Sequence, residues 1–130
     1  MSVGILLVTH PGVGPAIRAS AERMLGNLPL KVVCFELTFE QTPDGRLPAA
    51  SGALREADQG EGVLILSDLY GASPSNLASR LAQLGTPTER VSGLNLSMLL
   101  RALNYAEQPL AELARTAASG GRNGVVEDRA

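Results

Sequence analysis

"LLVTHPGVGPAIRAS", residues 6–20, joins an apolar run to an amphipathic one through a histidine, two prolines and two glycines. The apolar run begins upstream as "VGILLV" (Val3 to Val8) and has no polar member, the pattern of a strand covered on both faces. Beyond the loop, Ile17, Ala21, Met24 and Leu25 recur at helical spacing, and Gly26 supplies a stop. A buried strand that passes directly into a helix is the start of an α/β unit. His10, the only histidine in 130 residues, stands at the junction.

The same alternation continues downstream. "LKVVCF" (Leu30 to Phe35) reads as a second strand, and "TPDG" (Thr42 to Gly45) as a turn. Leu47, Ala50, Leu54 and Ala57 mark a second helix, and "GVLIL" (Gly62 to Leu66) a third strand. Leu77, Ala78, Leu81, Ala82 and Leu84 mark the next helix, and "RVSGLNL" (Arg90 to Leu96) holds a short, weak fourth strand. Met98, Leu99, Ala102 and Leu103 give another helix, and Leu110, Leu113, Ala114 and Ala117 a last one after Pro109. Four rounds of strand and helix predict one doubly wound α/β domain over residues 1–130, with a mostly parallel sheet flanked by helices.

Composition narrows the function classes. Hydrophobic residues make up 45% of the chain and aromatics 3%, so the core is aliphatic. A net charge of -2 without like-charge blocks gives no footprint for nucleic acid or an anionic membrane. No apolar stretch reaches the ~18 residues of a membrane span, and the N-terminus has no basic leader region, so a soluble cytoplasmic protein is expected. Cys34 is the only cysteine, which excludes an intrachain disulfide, and its place inside "LKVVCF" reads as a buried structural thiol.

In an open α/β sheet, ligands gather beyond the carboxyl ends of the strands, where the strand order reverses. Polar residues stand at those ends here: Thr9 and His10, Glu36, Ser67 and Asp68, then Ser92 and Asn95. With a strand order of 2-1-3-4, strands one and three are neighbours ~5 Å apart, within reach for His10 and Asp68. A carboxylate that accepts one imidazole N–H fixes the tautomer, leaves the other nitrogen nucleophilic, and offsets the positive charge that develops when that nitrogen attacks phosphorus. The plainer alternative is a histidine in a turn and an aspartate capping a loop.

The segment "YGASPSNLASRL" (Tyr70 to Leu81) adds an anion site on the same rim. Ser73 suits the N-cap and Pro74 the first helical position, while Gly71 and Ala72 leave the backbone open to approach. The unpaired N–H groups that follow and the helix dipole would hold a phosphate without lysine or arginine, Ser73 adding a hydroxyl and Thr9 a second one nearby. Read as structure alone, the segment is a well-capped helix. "GVGPAI" (Gly12 to Ile17) begins like a dinucleotide fingerprint, with Glu36 where a ribose-binding acid would stand. Ile17 replaces its third small residue and Pro15 removes an N–H from the turn. There is no P-loop, no acidic pair for a phosphoaspartate receiver, and no set of metal ligands, so neither cofactor nor metal is expected.

At these residues the sequence resembles the enzyme IIA component of the mannose-type sugar phosphotransferase system, a likeness that covers nearly the whole chain. "GILLVTHPGVG" is similar to that family's phosphohistidine loop, "VLILSDLYGASPSN" to its signature after strand three, and "VSGLNLSMLLRAL" to its strand-four segment. The resemblance implies that His10 accepts a phosphoryl group from the histidine phosphocarrier protein and passes it to an enzyme IIB. It also implies that Asp68 orients the imidazole, and that Ser73 and nearby backbone help hold the phosphate. Tyr70 and Ala72 depart from the Phe and Gly common there, and no linker or IIB domain follows residue 130, which leaves open a stand-alone IIA in a regulatory relay. The phosphodonor subunit of a dihydroxyacetone kinase and a non-catalytic anion-binding regulatory module are the other readings. The tail "GGRNGVVEDRA" (Gly120 to Ala130) carries the β-branched pair Val125 and Val126 behind two glycines. It reads as a frayed end or as an antiparallel edge strand, and the resemblance implies exchange of that strand in a homodimer.

Overall fold

A computed structural model describes residues 1–129. Its elements run β1 (Ser2–Thr9), α1 (Val13–Leu25), β2 (Val32–Glu36), α2 (Pro43–Ala57) and β3 (Gly60–Ser67). They continue through α3 (Ser73–Leu81), β4 (Thr88–Ser92), α4 (Leu96–Asn104) and α5 (Leu110–Asn123). The four strands form one parallel sheet, as the alternation of strand and helix predicts, and their order is the β2-β1-β3-β4 expected of a doubly wound domain.

Strand residues alternate between two cores because successive side chains leave opposite faces of the pleat. Val3, Ile5 and Leu7 of β1, with Leu64 and Leu66 of β3, pack against α1, α4 and α5. Leu6 and Val8, with Val63 and Ile65, face α2 and α3. Both central strands are therefore buried on both sides, which is why they read as unbroken apolar runs.

Several boundaries differ from the sequence reading. "TPDG" is not a free turn but the start of α2: the Thr42 hydroxyl accepts from the Gly45 N–H at 3.0 Å, and Pro43 opens the helix. The proline and polar residues that favour turns also favour a first helical turn, and an N-cap bond decides the case. β2 begins at Val32, two residues later than expected, although Leu30 is buried. α3 ends at Leu81, leaving Leu84 exposed beyond it. On α1, Ala21 enters the core while Met24 and Leu25 face outwards.

The C-terminal reading changes most. α5 continues through Gly120 and Gly121 to Asn123, and residues 124–129 form no strand within this chain. Those glycines permit close packing: a Cβ at Gly120 would collide with the Arg101 side chain of α4, and one at Gly121 with Met98. They are contact residues of a helix pair, not a flexible hinge.

At the opposite end of the sheet, a Cβ on Gly4 of β1 would fall on the carbonyl of Ala57, the last residue of α2. Backbone cannot give way as a side chain can, so Gly4→Ala is expected to destabilise the fold by ~3 kcal/mol or more. Urea unfolding measures this, and a midpoint matching the wild type would contradict the packing described.

Candidate active site

The parallel register pairs Val8 with Ser67, so the chains leaving β1 and β3 emerge side by side. The β1 exit carries Thr9 and His10, and the β3 exit carries Asp68. One carboxylate oxygen, Asp68 Oδ2, accepts from the His10 backbone N–H at 3.0 Å and lies 2.8 Å from His10 Nδ1. The other oxygen, Oδ1, is buried and has no hydrogen-bond partner among the described residues. The carboxylate is therefore answered by His10 alone. A carboxylate in this place accepts, so Nδ1 carries the proton and Nε2 holds the free lone pair. The side chains are 22% and 11% exposed, respectively: the imidazole can be reached, while its partner is largely withdrawn from water.

Two further contacts hold the loop in shape. The Thr9 hydroxyl donates to the His10 carbonyl at 2.8 Å and accepts from the Gly14 N–H at 3.0 Å. Thr9 is fully buried, so it braces the loop from within and is not exposed to a phosphate, contrary to the sequence reading. Glu36, weighed as a ribose ligand, instead accepts from the Gly12 N–H at 2.6 Å. Gly12 has φ +83°, a left-handed conformation that glycine adopts without strain, and it turns the chain into α1. Phe39, which the sequence reading passed over, lies against His10 with ring centroids 5.2 Å apart and planes 25° apart. Its only signal was an apolar residue in the otherwise polar stretch "TFEQT".

The segment after Asp68 runs along the same rim to α3. Gly71 has φ +86°, and a Cβ there would meet nothing, so its glycine is required by conformation rather than by space. The N-cap is Ala72, in extended conformation, and not Ser73; Pro74 falls within the first turn, one position later than expected. Ser73 is exposed and its hydroxyl caps nothing. The Asn76 N–H is taken by the Ala72 carbonyl, whereas the N–H groups of Ser73 and Ser75 find no backbone acceptor among the described residues. These two donors, on either side of a proline that has none, face the N-terminal end of the helix dipole. Ser73, Gly71 and Ala72 thus share the rim with His10 and Asp68 but make no hydrogen bond to His10.

The remaining rim residues are structural. Ser67 and Ser92 share a hydroxyl bond of 2.9 Å between β3 and β4. Asn95 caps α4 through the Met98 N–H at 2.8 Å and ties it to α5 through the Gly121 carbonyl at 3.1 Å. Cys34 is half-buried; burial pushes its thiol pKa up, Arg18 opposes this, and Glu36 adds to it. The larger surface grooves lie along α1 and β2 and between α3 and β4, and His10 lines neither. His10 stands instead on an open rim, where a large molecule can reach its ring.

No helix is long and apolar enough to cross a membrane among the described residues. The EIIA-man family, described as the PTS system fructose IIA component, matches residues 4–118. The chain is similar to the PTS system mannose-specific EIIAB component of Escherichia coli (strain K12), with 28% identity over 127 residues. That alignment takes in 96% of this chain and 39% of the relative, so the chain spans about two fifths of that protein's length. It is also similar to the transcriptional regulatory protein LevR of Bacillus subtilis (strain 168), with 32% identity over 79% of this chain and 11% of the relative. Among solved structures, the mannose/sorbose specific IIA subunit of the phosphotransferase system from Enterococcus faecalis superposes with a TM-score of 0.88. Its sequence is 25% identical, with 100% of this chain and 97% of that one covered. A match over nearly the whole sheet and its helices, on a rim already built around one histidine, establishes that this chain belongs to the mannose-type EIIA family of phosphotransferase-system components.

Proposed function

We propose that His10 is a phosphoryl carrier, receiving its group from the histidine phosphocarrier protein and passing it to an enzyme IIB or to a regulatory target in the cytoplasm. The observation that carries this reading is the double acceptance by Asp68 Oδ2 of both His10 N–H groups. The lone pair on Nε2 attacks phosphorus and forms an N–P bond while the donor's P–N bond breaks and its electron pair returns to the donor nitrogen. The imidazole, keeping its proton on Nδ1, becomes positively charged, and the Asp68 carboxylate, largely withdrawn from water, offsets that charge. Transfer onward is the same step in reverse towards the acceptor. Ser73, Gly71 and Ala72, with the free N–H groups of Ser73 and Ser75, support the phosphoryl oxygens from the α3 side.

Phe39, Leu69 and Tyr70 are exposed apolar residues on loops at this rim, a surface suited to protein partners. One relative is named as a mannose-specific EIIAB component and another as a transcriptional regulatory protein, which supports considering both kinds of acceptor.

Incubation with phosphoenolpyruvate, enzyme I and the phosphocarrier protein should add one acid-labile, base-stable phosphoryl group per chain, read by intact mass. His10→Ala should take up none, and a stoichiometric label surviving in that variant would sink the proposal. Asp68→Asn should fold normally and accept phosphate on the order of a hundredfold more slowly, because an amide cannot offset the ring's charge. An unchanged rate would remove the orienting role.

The reading extends to a homodimer in which the tail of one chain pairs with the β4 edge of another. Val125 and Val126 are 78% and 74% exposed in this chain, and β4 is an edge strand. Deleting the chain from Val125 onward leaves α5 whole and is expected to shift the particle to monomer in sedimentation. A truncated chain that stays dimeric at low micromolar concentration would place the interface elsewhere.

A further inference from the structure

We infer that Phe39 is a positioning residue for the carrier histidine, one whose ring lies on the imidazole face and prolongs the life of the phosphorylated state. This rests on the reading of His10 as the carrier. Phe39 is 81% exposed, so burial of its ring does not account for its place in a polar turn. The ring nevertheless stacks on His10, 5.2 Å between centroids.

The backbone that presents it is tied down from both sides. Thr38 and Gln41 close a turn around Phe39 and Glu40, with the Gln41 N–H donating to the Thr38 carbonyl at 3.1 Å. The Thr38 N–H donates in turn to Gln41 Oε1 at 3.0 Å. The base of the turn is joined to the histidine strand itself, where the Leu37 N–H donates to the Thr9 carbonyl at 2.9 Å. A ring on a turn anchored to the residue preceding His10 is held in place over it.

The chemistry of the carrier gives this stacking a consequence. Once Nε2 bears the phosphoryl group and Nδ1 keeps its proton, the imidazole carries a positive charge spread over its π system. The face of an aromatic ring is the negative end of its quadrupole and attracts such a charge. Hydrolysis removes it: water oxygen bonds to phosphorus, the Nε2–P bond breaks, and its electron pair returns to Nε2. The water proton leaves with phosphate or solvent, and the ring becomes neutral. Whatever stabilises the charged ring therefore slows spontaneous loss of the phosphoryl group. Asp68 does so from the edge of the imidazole and Phe39 from its face.

The test needs no protein partner, which separates this role from docking. Wild-type, Phe39→Ala and Phe39→Tyr chains are phosphorylated with the small donor phosphoramidate, freed of donor, and followed by intact mass at neutral pH, with His10→Ala as the blank. Phe39→Ala is expected to shorten the half-life roughly threefold, and Phe39→Tyr, which keeps the aromatic face, to restore it to near the wild-type value. Equal half-lives for wild type and Phe39→Ala would overturn this inference alone, as would a Tyr variant no longer-lived than Ala. Absence of uptake by the wild-type chain would overturn the carrier reading and this inference with it.

Discussion

One carboxylate oxygen accepting two N–H groups of the same residue is the contact around which the site is organised. Asp68 Oδ2 fixes both the backbone position of His10 and the orientation of its ring. Neither would be available without the strand order: β1 and β3 are separated by 50 residues of chain between their ends, yet they lie side by side and in register up to Val8 and Ser67. A parallel pair can only be made by a crossover, and here α1, β2 and α2 form it. The long detour returns the chain at the spot where an aspartate meets a histidine.

That contact also explains how the surroundings are used. Thr9 and Glu36 spend their hydrogen bonds on the loop, one gripping Gly14 and the other Gly12. With the Val13 N–H directed at the His10 carbonyl and Pro15 lacking a donor, the start of α1 offers no spare N–H to an anion. The uncommitted donors lie across the rim at α3, on Ser73 and Ser75. The loop that carries His10 is thus held by its own hydrogen bonds, and the N–H groups left over for an anion lie on a separate helix. For the proposed phosphoryl carrier, such a division would limit reorganisation of the imidazole during transfer.

Much of this was legible in the sequence because the central strands are buried on both faces. Ile5 to Val8 and Val63 to Leu66 have no polar member, and that pattern fixes their place in the middle of a parallel sheet. Once the order is known, His10 and Asp68 must be neighbours. What could not be read depended on which of two uses a residue type would serve. Pro43, Asp44 and Gly45 suit a turn or a first helical turn, and only the bond from Gly45 to Thr42 distinguishes them. Gly120 and Gly121 suit a hinge or a close helix contact, and the latter holds because α4 presents Arg101 and Met98 against them. Thr9 lies beside His10 in the chain, but its side chain turns inwards on the alternate face, so adjacency in sequence gave the wrong role. Phe39 is remote from His10 in sequence and has no periodic pattern; only the pairing of β2 with β1 brings it over the imidazole.

The central claim is that Asp68 holds the proton of His10 on Nδ1 and leaves Nε2 as the nucleophile. Nitrogen NMR of the labelled imidazole, before and after phosphorylation, tests it most directly. The account predicts a protonated Nδ1 and a bare Nε2 in the neutral ring, then coupling of phosphorus to Nε2. A proton on Nε2 in the unmodified protein, or a phosphoryl group found on Nδ1, would contradict it.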